Sequence, residues 1–308
     1  MGKKFSGVSQ TMSRFRGWIQ AGATLLTNLH LPNFLKGGLY QGTGKTVCVP
    51  GLNCYSCPAA SGACPIGAFQ AVVGSSKFSF SYYITGFLIL LGVLLGRFIC
   101  GFLCPFGWFQ ELLHKIPTKK LSTKRLKPLT YLKYAVLLVM VFLLPAFLVN
   151  DVGMGDPFFC KYLCPQGVLE GAIPLSLANS GIRAALGKLF TWKFSILLSA
   201  IALSVLFYRP FCKWLCPLGA FYALFNRVSL FQMKVDKNKC VSCGKCAIAC
   251  KMDVDVTKTP NHTECIRCGM CIRACPTKAV CFRYGFGDGK DKAKAAETLQ
   301  TNNNNREE

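Results

Sequence analysis

The stretch "FICGFLCPFGWFQELLHK" at residues 98–115 follows an apolar segment and carries two cysteines four positions apart. Its Cys-Pro-x-Gly motif occurs four times in the chain, beginning at Cys64, Cys104, Cys164 and Cys216. In three copies a further cysteine stands four residues earlier, at Cys100, Cys160 and Cys212. Proline is favoured at the first position of a helix, so we expect each Cys-Pro cysteine to be the N-cap of a short helix. The positive helix end should lower the thiol pKa there, which suits a metal ligand.

The composition limits the class of protein. Of 308 residues, 52% are hydrophobic, the mean hydropathy is +0.35, and the formal charge is +23. This is too apolar for an ordinary soluble domain. Nineteen cysteines in a chain of this size, with no signal peptide expected at its basic start, indicate metal ligands rather than secreted disulfides. Basic residues beside apolar segments favour lipid headgroups as partners over nucleic acid.

Three segments are predicted to cross a membrane as helices, because each is apolar and about 25–30 Å long. They are 82–98, 131–149 and 193–208. Buried core helices of a large soluble protein are the alternative. A weaker fourth span, 17–35, contains Asn28, His30 and Asn33 and could equally lie flat on the membrane surface.

The basic residues predict the orientation, because positively charged loops stay in the cytoplasm. The loop after span 82–98 is rich in lysine and arginine, at Lys115, Lys119, Lys120, Lys124, Arg125 and Lys127. We expect this loop and both ends of the chain to be cytoplasmic, which requires four crossings. The basic stretch 165–190 does not fit an outer loop and is expected to re-enter the membrane or lie along it.

Beyond the last span, "CVSCGKCAIACK" and "CIRCGMCIRACP" both have the bacterial ferredoxin spacing C-x2-C-x2-C-x3-C. In this pattern the fourth cysteine ligates the other cluster. One [4Fe–4S] cluster is therefore predicted on Cys240, Cys243, Cys246 and Cys275, and the second on Cys265, Cys268, Cys271 and Cys250. Paired zinc sites are the alternative. Cys281, outside both runs, is expected to be a buried apolar thiol.

The predicted fold is an α-helical integral membrane protein with about four transmembrane helices and short half-helices. A C-terminal α+β domain of the bacterial 2[4Fe–4S] ferredoxin type follows it. We place the membrane domain at residues 1–230, the ferredoxin domain at 231–287 and a disordered tail at 288–308.

The cysteines of the membrane domain are expected to form two groups, one near each membrane surface. The inner group is a predicted iron–sulfur site of Cys100, Cys104, Cys212 and Cys216. The outer group draws on Cys54, Cys57, Cys64, Cys160 and Cys164, with Cys48 as a spare candidate. Two alternatives stay open for the outer group: disulfides, or a thiol redox pair at "CYSC".

From about residue 14 to 284 the chain resembles the membrane-bound polyferredoxins of the NapH and NosR type. The resemblance rests on "GLNCYSCPAASGACPIGAFQA" (51–71), the C-x3-C-P pairs and the double ferredoxin run. It implies electron transfer across the cytoplasmic membrane, from a cytoplasmic or quinol donor to a redox partner outside. NosR-type proteins also carry an external flavin domain, so a separate flavin- or haem-containing protein is the expected partner.

The expected function is a transmembrane electron-transfer subunit rather than a stand-alone enzyme. Two other hypotheses are an accessory factor that reduces or inserts a metal, and a thiol–disulfide relay. Iron content separates them: four [4Fe–4S] clusters need about sixteen irons and the ferredoxin domain alone about eight.

Overall fold

The computed structural model describes residues 3–4, 6–75, 81–151 and 154–285. Within these ranges most of the chain is helical and a three-stranded sheet lies near its C-terminal end. The predicted disordered tail at 288–308 lies outside the described residues.

The described residues form sixteen α-helices, several of them only a turn or two long. They are α1 Ser6–Arg14, α2 Arg16–Thr27, α3 Asn33–Lys36, α4 Pro65–Gly74, α5 Tyr82–Leu95, α6 Phe98–Phe102, α7 Pro105–His114, α8 Leu132–Val136, α9 Leu144–Phe147, α10 Ile173–Ala178, α11 Ser180–Ala184, α12 Lys188–Leu206, α13 Pro210–Trp214, α14 Pro217–Phe225, α15 Lys245–Ile248 and α16 Met270–Ala274. The 3₁₀ segments are Thr43–Thr46 and Lys124–Tyr131, and the π-helical segments are Leu137–Leu143, Phe159–Leu163 and Gly167–Ala172.

Two helices of the described chain are long and apolar enough to cross a membrane. One covers Arg125–Phe147 (23 residues), with a kink at Leu126, and the other is α12 (19 residues). They correspond to the predicted spans 131–149 and 193–208.

The other two predicted spans are shorter than expected. The segment 82–98 forms α5, whose 14 residues reach only about 21 Å. It ends because Gly96 adopts a positive φ of 55°, which breaks the helical backbone. The segment 17–35 does not form one helix, since α2 ends at Thr27. Arg16 and Gln20 of α2 are buried and donate to the carbonyl of Gly101, so one face of this helix packs against the protein, while Trp18 on the helix is exposed.

The ferredoxin part contains the sheet. Strands β2 Phe231–Val235 and β3 Val280–Tyr284 pair antiparallel, with Phe231 opposite Tyr284. A short strand, β1 Lys3–Lys4, adds to the other edge of β3, giving the order β1-β3-β2. The N-terminal segment, predicted as part of the membrane domain, therefore packs on the ferredoxin part. Ser9 of α1 accepts a hydrogen bond from the backbone N–H of Phe282.

Buried ion pairs fix the ferredoxin part against the helices. The carboxylate of Glu264 bonds to Arg97 at 3.0 Å and also to Lys133, and Asp253 bonds to Lys213 at 2.6 Å. One apolar core contains cysteines from both parts, including Cys104 and Cys268. The two parts therefore form a single packed unit, in which the ferredoxin part lies directly beside the inner cysteines.

Candidate metal centres

The Cys-Pro-x-Gly motifs form helix starts, as predicted. Cys64, Cys104 and Cys216 are the N-caps of α4, α7 and α14, each with extended backbone and proline at the first helical position. Cys164 is also extended and precedes the π-helical turn at Gly167–Ala172. In all four motifs the glycine N–H donates to the sulfur of the motif's cysteine, at 3.4 Å in the Gly219–Cys216 pair. The sulfur therefore accepts a hydrogen bond from one of the N–H groups that have no backbone partner at a helix start.

The structure brings the four predicted inner cysteines together. All four are less than 9% exposed and close enough to interact electrostatically, and we call them the inner site: Cys100, Cys104, Cys212 and Cys216. Two come from the short helices α6 and α13, and two are the N-caps of α7 and α14.

Two fully buried arginines flank the inner site. Arg209 donates to the carbonyl of Cys100 and pairs with Glu111, while Arg97 pairs with Glu264. Nη2 of Arg209, and Nε and Nη2 of Arg97, find no hydrogen-bond partner among the described residues. Buried cationic N–H groups without partners are costly. Beside four cysteines, these groups fit an anionic iron–sulfur cluster, which would supply the missing negative charge.

Four of the five outer candidates line one cavity of about 500 Å³, together with Lys45 and Lys193. We call this quartet the outer site: Cys54, Cys64, Cys160 and Cys164. Cys57 does not line the cavity; it is 1% exposed, packs with Ala59 and Ala60, and lies 3.6 Å from the Asn28 side-chain oxygen. The spare candidate, Cys48, is also buried away from the cavity.

The motif glycines leave room at both sites. A Cβ on Gly67 would lie 3.7 Å from Cys160 Sγ, and one on Gly167 would lie 3.7 Å from Cys54 Sγ. At the inner site a Cβ on Gly107 would come within 2.9 Å of the Arg209 guanidinium. The distances to sulfur at Gly67 and Gly167 are ordinary van der Waals contacts, whereas a side chain at Gly107 would require the Arg209 guanidinium to move.

The ferredoxin cysteines separate into the crossed groups that the spacing predicts. A cavity of about 340 Å³ is lined by the first ferredoxin site: Cys240, Cys243, Cys246 and Cys275. A narrow buried pocket is lined by the second ferredoxin site: Cys250, Cys265, Cys268 and Cys271.

The backbone around the two ferredoxin sites repeats residue for residue. Positive φ angles occur at matching positions of the two runs, in the pairs Ser242 and Arg267, Gly244 and Gly269, and Asp253 and Lys278. Alternating backbone of this kind turns successive N–H groups toward one point and forms an anion-binding nest. The repetition fits two equal anionic groups.

The spacing of the thiols argues against single metal ions. Among the described residues, no three His, Cys, Asp or Glu side chains are close enough to hold one ion. Tetrahedral zinc, with Zn–S bonds of about 2.3 Å, would need sulfurs about 4 Å apart. All nineteen cysteines fall within the described ranges, and none of them forms a disulfide there. Among the described residues, none of the quartets therefore has the close thiol spacing that one tetrahedral ion requires.

The expected lowering of the thiol pKa at the helix starts is wrong for the metal-free chain. Burial raises the pKa of Cys104 and of Cys164 to about 12 each, outweighing the backbone N–H groups that lower it. These thiols are therefore protonated at neutral pH. Because metal ligation needs thiolates, binding at these sites must release protons.

Neighbouring sites lie close to one another. Cys246 of the first ferredoxin site is near enough to Cys271 of the second to interact with it electrostatically. At the inner site, a Cβ on Gly101 would come within 3.7 Å of the Cα of Cys268. The second ferredoxin site therefore lies between the first ferredoxin site and the inner site in this order of neighbours.

Two adjacent residues connect the inner and outer sites. The backbone N–H of Leu52 donates to Cys104, and that of Asn53 donates to Cys64. The placement of the two groups relative to the membrane surfaces stays a prediction. The segment before Cys54 folds into the protein interior, where Leu52 and Asn53 are 1% and 0% exposed, and joins the two groups.

Two glutamines contact the cysteines and were not predicted. Gln70 Nε2 donates to Cys160 Sγ at 3.2 Å, and Gln110 Nε2 donates to Cys212 Sγ at 3.0 Å. Both stand six residues after a Cys-Pro cysteine, in "CPIGAFQ" and "CPFGWFQ". This repeated offset was the signal in the sequence that could have identified them.

Comparison with known families agrees with the cysteine pattern. A family described as a 4Fe-4S binding domain matches residues 62–82, 79–124, 133–173 and 190–238, and a second family of the same description matches 259–281. No solved structure matches the chain.

Three curated relatives are informative. The uncharacterized protein MJ0750 of Methanocaldococcus jannaschii is 32% identical over 65% of this chain and 77% of its own length. YccM of Escherichia coli, named as a candidate electron transport protein, is 26% identical over 55% of this chain and 45% of its own length. The regulatory protein NosR of Stutzerimonas stutzeri is 27% identical over 52% and 21%. The chain therefore belongs to the family of proteins with this 4Fe-4S binding domain, which it shares with MJ0750.

Proposed function

We propose that the chain conducts electrons across the cytoplasmic membrane through four [4Fe–4S] clusters. The first and second ferredoxin sites, the inner site and the outer site would hold one cluster each. The observation that carries this proposal is their order. Cys246 interacts electrostatically with Cys271, Gly101 beside Cys100 lies close to Cys268, and the adjacent residues Leu52 and Asn53 donate to Cys104 and Cys64. Electron tunnelling weakens steeply with distance, so an unbroken row of sites is what a conducting path requires.

The cluster, when bound, supplies a centre that accepts and releases one electron. The chain's own residues supply ligation, charge and exclusion of water. The cysteines provide thiolates, and Arg97 and Arg209 balance the negative charge at the inner site. The walls of this site are apolar, with Phe106 and Phe211 at 1% and 2% exposure, which keeps water away. Such surroundings, and not only the ligands, set a cluster's potential.

The exposed side chains support a membrane location. The helix Arg125–Phe147 and α12 have the length and hydropathy of spans. Exposed aromatic side chains stand at the starts of the apolar helices, at Tyr82, Tyr131 and Trp192. Tyrosine and tryptophan are enriched at the membrane–water interface. We infer a multi-pass protein whose shorter helices α2 and α5 complete the membrane part.

The proposed orientation has the ferredoxin part in the cytoplasm. The loop between α7 and the Arg125–Phe147 helix is basic, and it contacts the ferredoxin part through Thr123 and Asp253. Because α1 and β1 pack on the same part, the N-terminal segment belongs to this side as well. A cytoplasmic or quinol donor would deliver electrons to the ferredoxin sites, and an external flavin or haem protein would take them from the outer site.

Reconstitution in liposomes tests the proposal. The purified protein should hold about sixteen irons. A reduced soluble ferredoxin on the ferredoxin side should then reduce ferricyanide trapped on the other side. An iron content of about eight together with no transfer would overturn the proposal. Transfer that occurs with about eight irons and is abolished by iodoacetamide would instead support the thiol relay.

A further inference from the structure

Gln70 and Gln110 occupy equivalent positions at the outer and inner sites. Each lies on the helix that begins at a Cys-Pro cysteine, α4 or α7, and reaches a cysteine of the other motif of the same site. Gln70 contacts Cys160 at 3.2 Å and Gln110 contacts Cys212 at 3.0 Å. Both side chains are almost fully buried, at 0% and 1% exposure.

The second half of each carboxamide fixes its orientation. Gln70 Oε1 accepts from the backbone N–H of Phe159 at 2.9 Å, and Gln110 Oε1 accepts from that of Phe211 at 3.2 Å. Because an amide oxygen cannot donate, this bond forces the NH₂ group toward the sulfur of the next residue, Cys160 or Cys212. The same bidentate arrangement thus occurs twice, between segments far apart in the chain.

We propose that Gln70 and Gln110 are positioning residues that raise the reduction potentials of the outer and inner sites. The inference rests on the proposed function, because it requires clusters at these sites. An N–H donor on a ligand sulfur stabilises the more negative, reduced state, and hydrogen bonds to sulfur are among the factors that set cluster potentials. In these buried sites a donor is held without rearrangement, so its effect on the charge is strong.

The two sites differ in what else balances their charge. The inner site has Arg97 and Arg209 beside it, whereas the outer site has Lys45 and Lys193, of which Lys193 donates to the carbonyl of Cys160. Each site has one glutamine N–H donor of the same kind. The two glutamines therefore raise the reduction potentials of both sites, and the arginines are what makes the potential of the inner site different.

The test is a redox titration of the purified protein followed by EPR. Gln70→Met and Gln110→Met keep the length of the side chain and remove the donor. Each should lower the midpoint potential of one cluster out of four and leave the iron content near sixteen. Gln70→Met should act only on the outer site and Gln110→Met only on the inner site, so each variant is the control for the other.

Shorter amides provide a second pair of variants, since Gln70→Asn and Gln110→Asn keep the polarity but withdraw the donor from the sulfur. They should give the same downward shifts. Unchanged potentials at full iron content would overturn the inference while leaving the proposed function intact. Loss of a cluster in all four variants would also overturn it, because the glutamines would then be needed for assembly alone. Wild-type protein with only about eight irons would instead contradict the proposed function.

Discussion

Gly51 lies directly against the backbone of Cys104. A Cβ at this glycine would come within 2.8 Å of the Cys104 Cα and 3.0 Å of the Leu103 carbonyl oxygen. Backbone atoms cannot move aside as a flexible side chain can. The segment that joins the inner and outer sites is therefore held where only glycine fits.

The first prediction concerns this contact. Gly51→Ala should displace the segment or Cys104 and destabilise the protein by about 1–3 kcal/mol, with loss of inner-site iron. Iron analysis and thermal unfolding in detergent measure both effects. Gly86→Ala, where a Cβ meets nothing within 4 Å, is the matched control and should behave as wild type. Equal behaviour of the two variants would contradict the close approach.

The second prediction concerns the choice of outer ligands. Cys54 lines the outer cavity and Cys57 does not, although both belong to "CYSC". Cys54→Ser should lower the iron content by about four, whereas Cys57→Ser should leave it unchanged. Iron and sulfide analysis of the two purified variants checks this. An equal loss in both would mean that Cys57 also ligates.

The third prediction concerns the crossing of the fourth cysteines. Cys250 lines the pocket of the second run although it belongs to the first. Cys250→Ser should therefore alter the EPR signal of the second ferredoxin site and spare that of the first. Cys281→Ser, a buried thiol on β3, should spare both. If Cys250→Ser altered only the first signal, the crossed assignment would be wrong.

The fourth prediction concerns the attachment of the ferredoxin part. Glu264→Gln removes the carboxylate that pairs with the buried cations Arg97 and Lys133. Leaving a buried charge without its partner costs about 3–5 kcal/mol. Asp156→Asn is the control, because both side chains of the Asp156–Lys161 pair are more than one third exposed and exposed pairs contribute little to stability. The midpoint of thermal unfolding should be much lower in Glu264→Gln than in Asp156→Asn. Similar midpoints would contradict the role of the buried Glu264 ion pairs in holding the ferredoxin part.

The fifth prediction concerns orientation. Reporter fusions at Lys120 and at Val235, in the ferredoxin part, should both read cytoplasmic. A fusion at the exposed Gln41 should read external. A cytoplasmic signal at Gln41 would show that α2 does not bring the chain to the other side and would contradict the proposed direction of transfer.

The local motifs of this chain could be predicted from the sequence. Proline after Cys64, Cys104 and Cys216 sets a helix start through its own backbone geometry, and the structure shows a helix at each. The grouping of the ferredoxin cysteines likewise follows from spacing, because three thiols within seven residues must converge through a tight loop. Neither inference needs knowledge of the rest of the fold.

What depends on distant packing could not be predicted. Hydropathy predicts a span over 82–98, but the positive φ of Gly96 ends the helix at Leu95. No local pattern distinguishes Cys54 from Cys57, since only the fold decides which thiol faces the cavity. The approach of the inner and outer sites depends on where the Leu52 segment packs, and the hydropathy of this segment carries no such information.

The pairing of Lys3–Lys4 with Val280–Tyr284 has a consequence for biogenesis. The strand Lys3–Lys4 pairs with residues about 280 positions further along the chain, so it cannot pair until the helices between them have been synthesised. Contacts between such distant parts of a chain form slowly. Lys3–Lys4 is therefore the last strand to join the sheet, after β2 and β3, which are close together in the sequence.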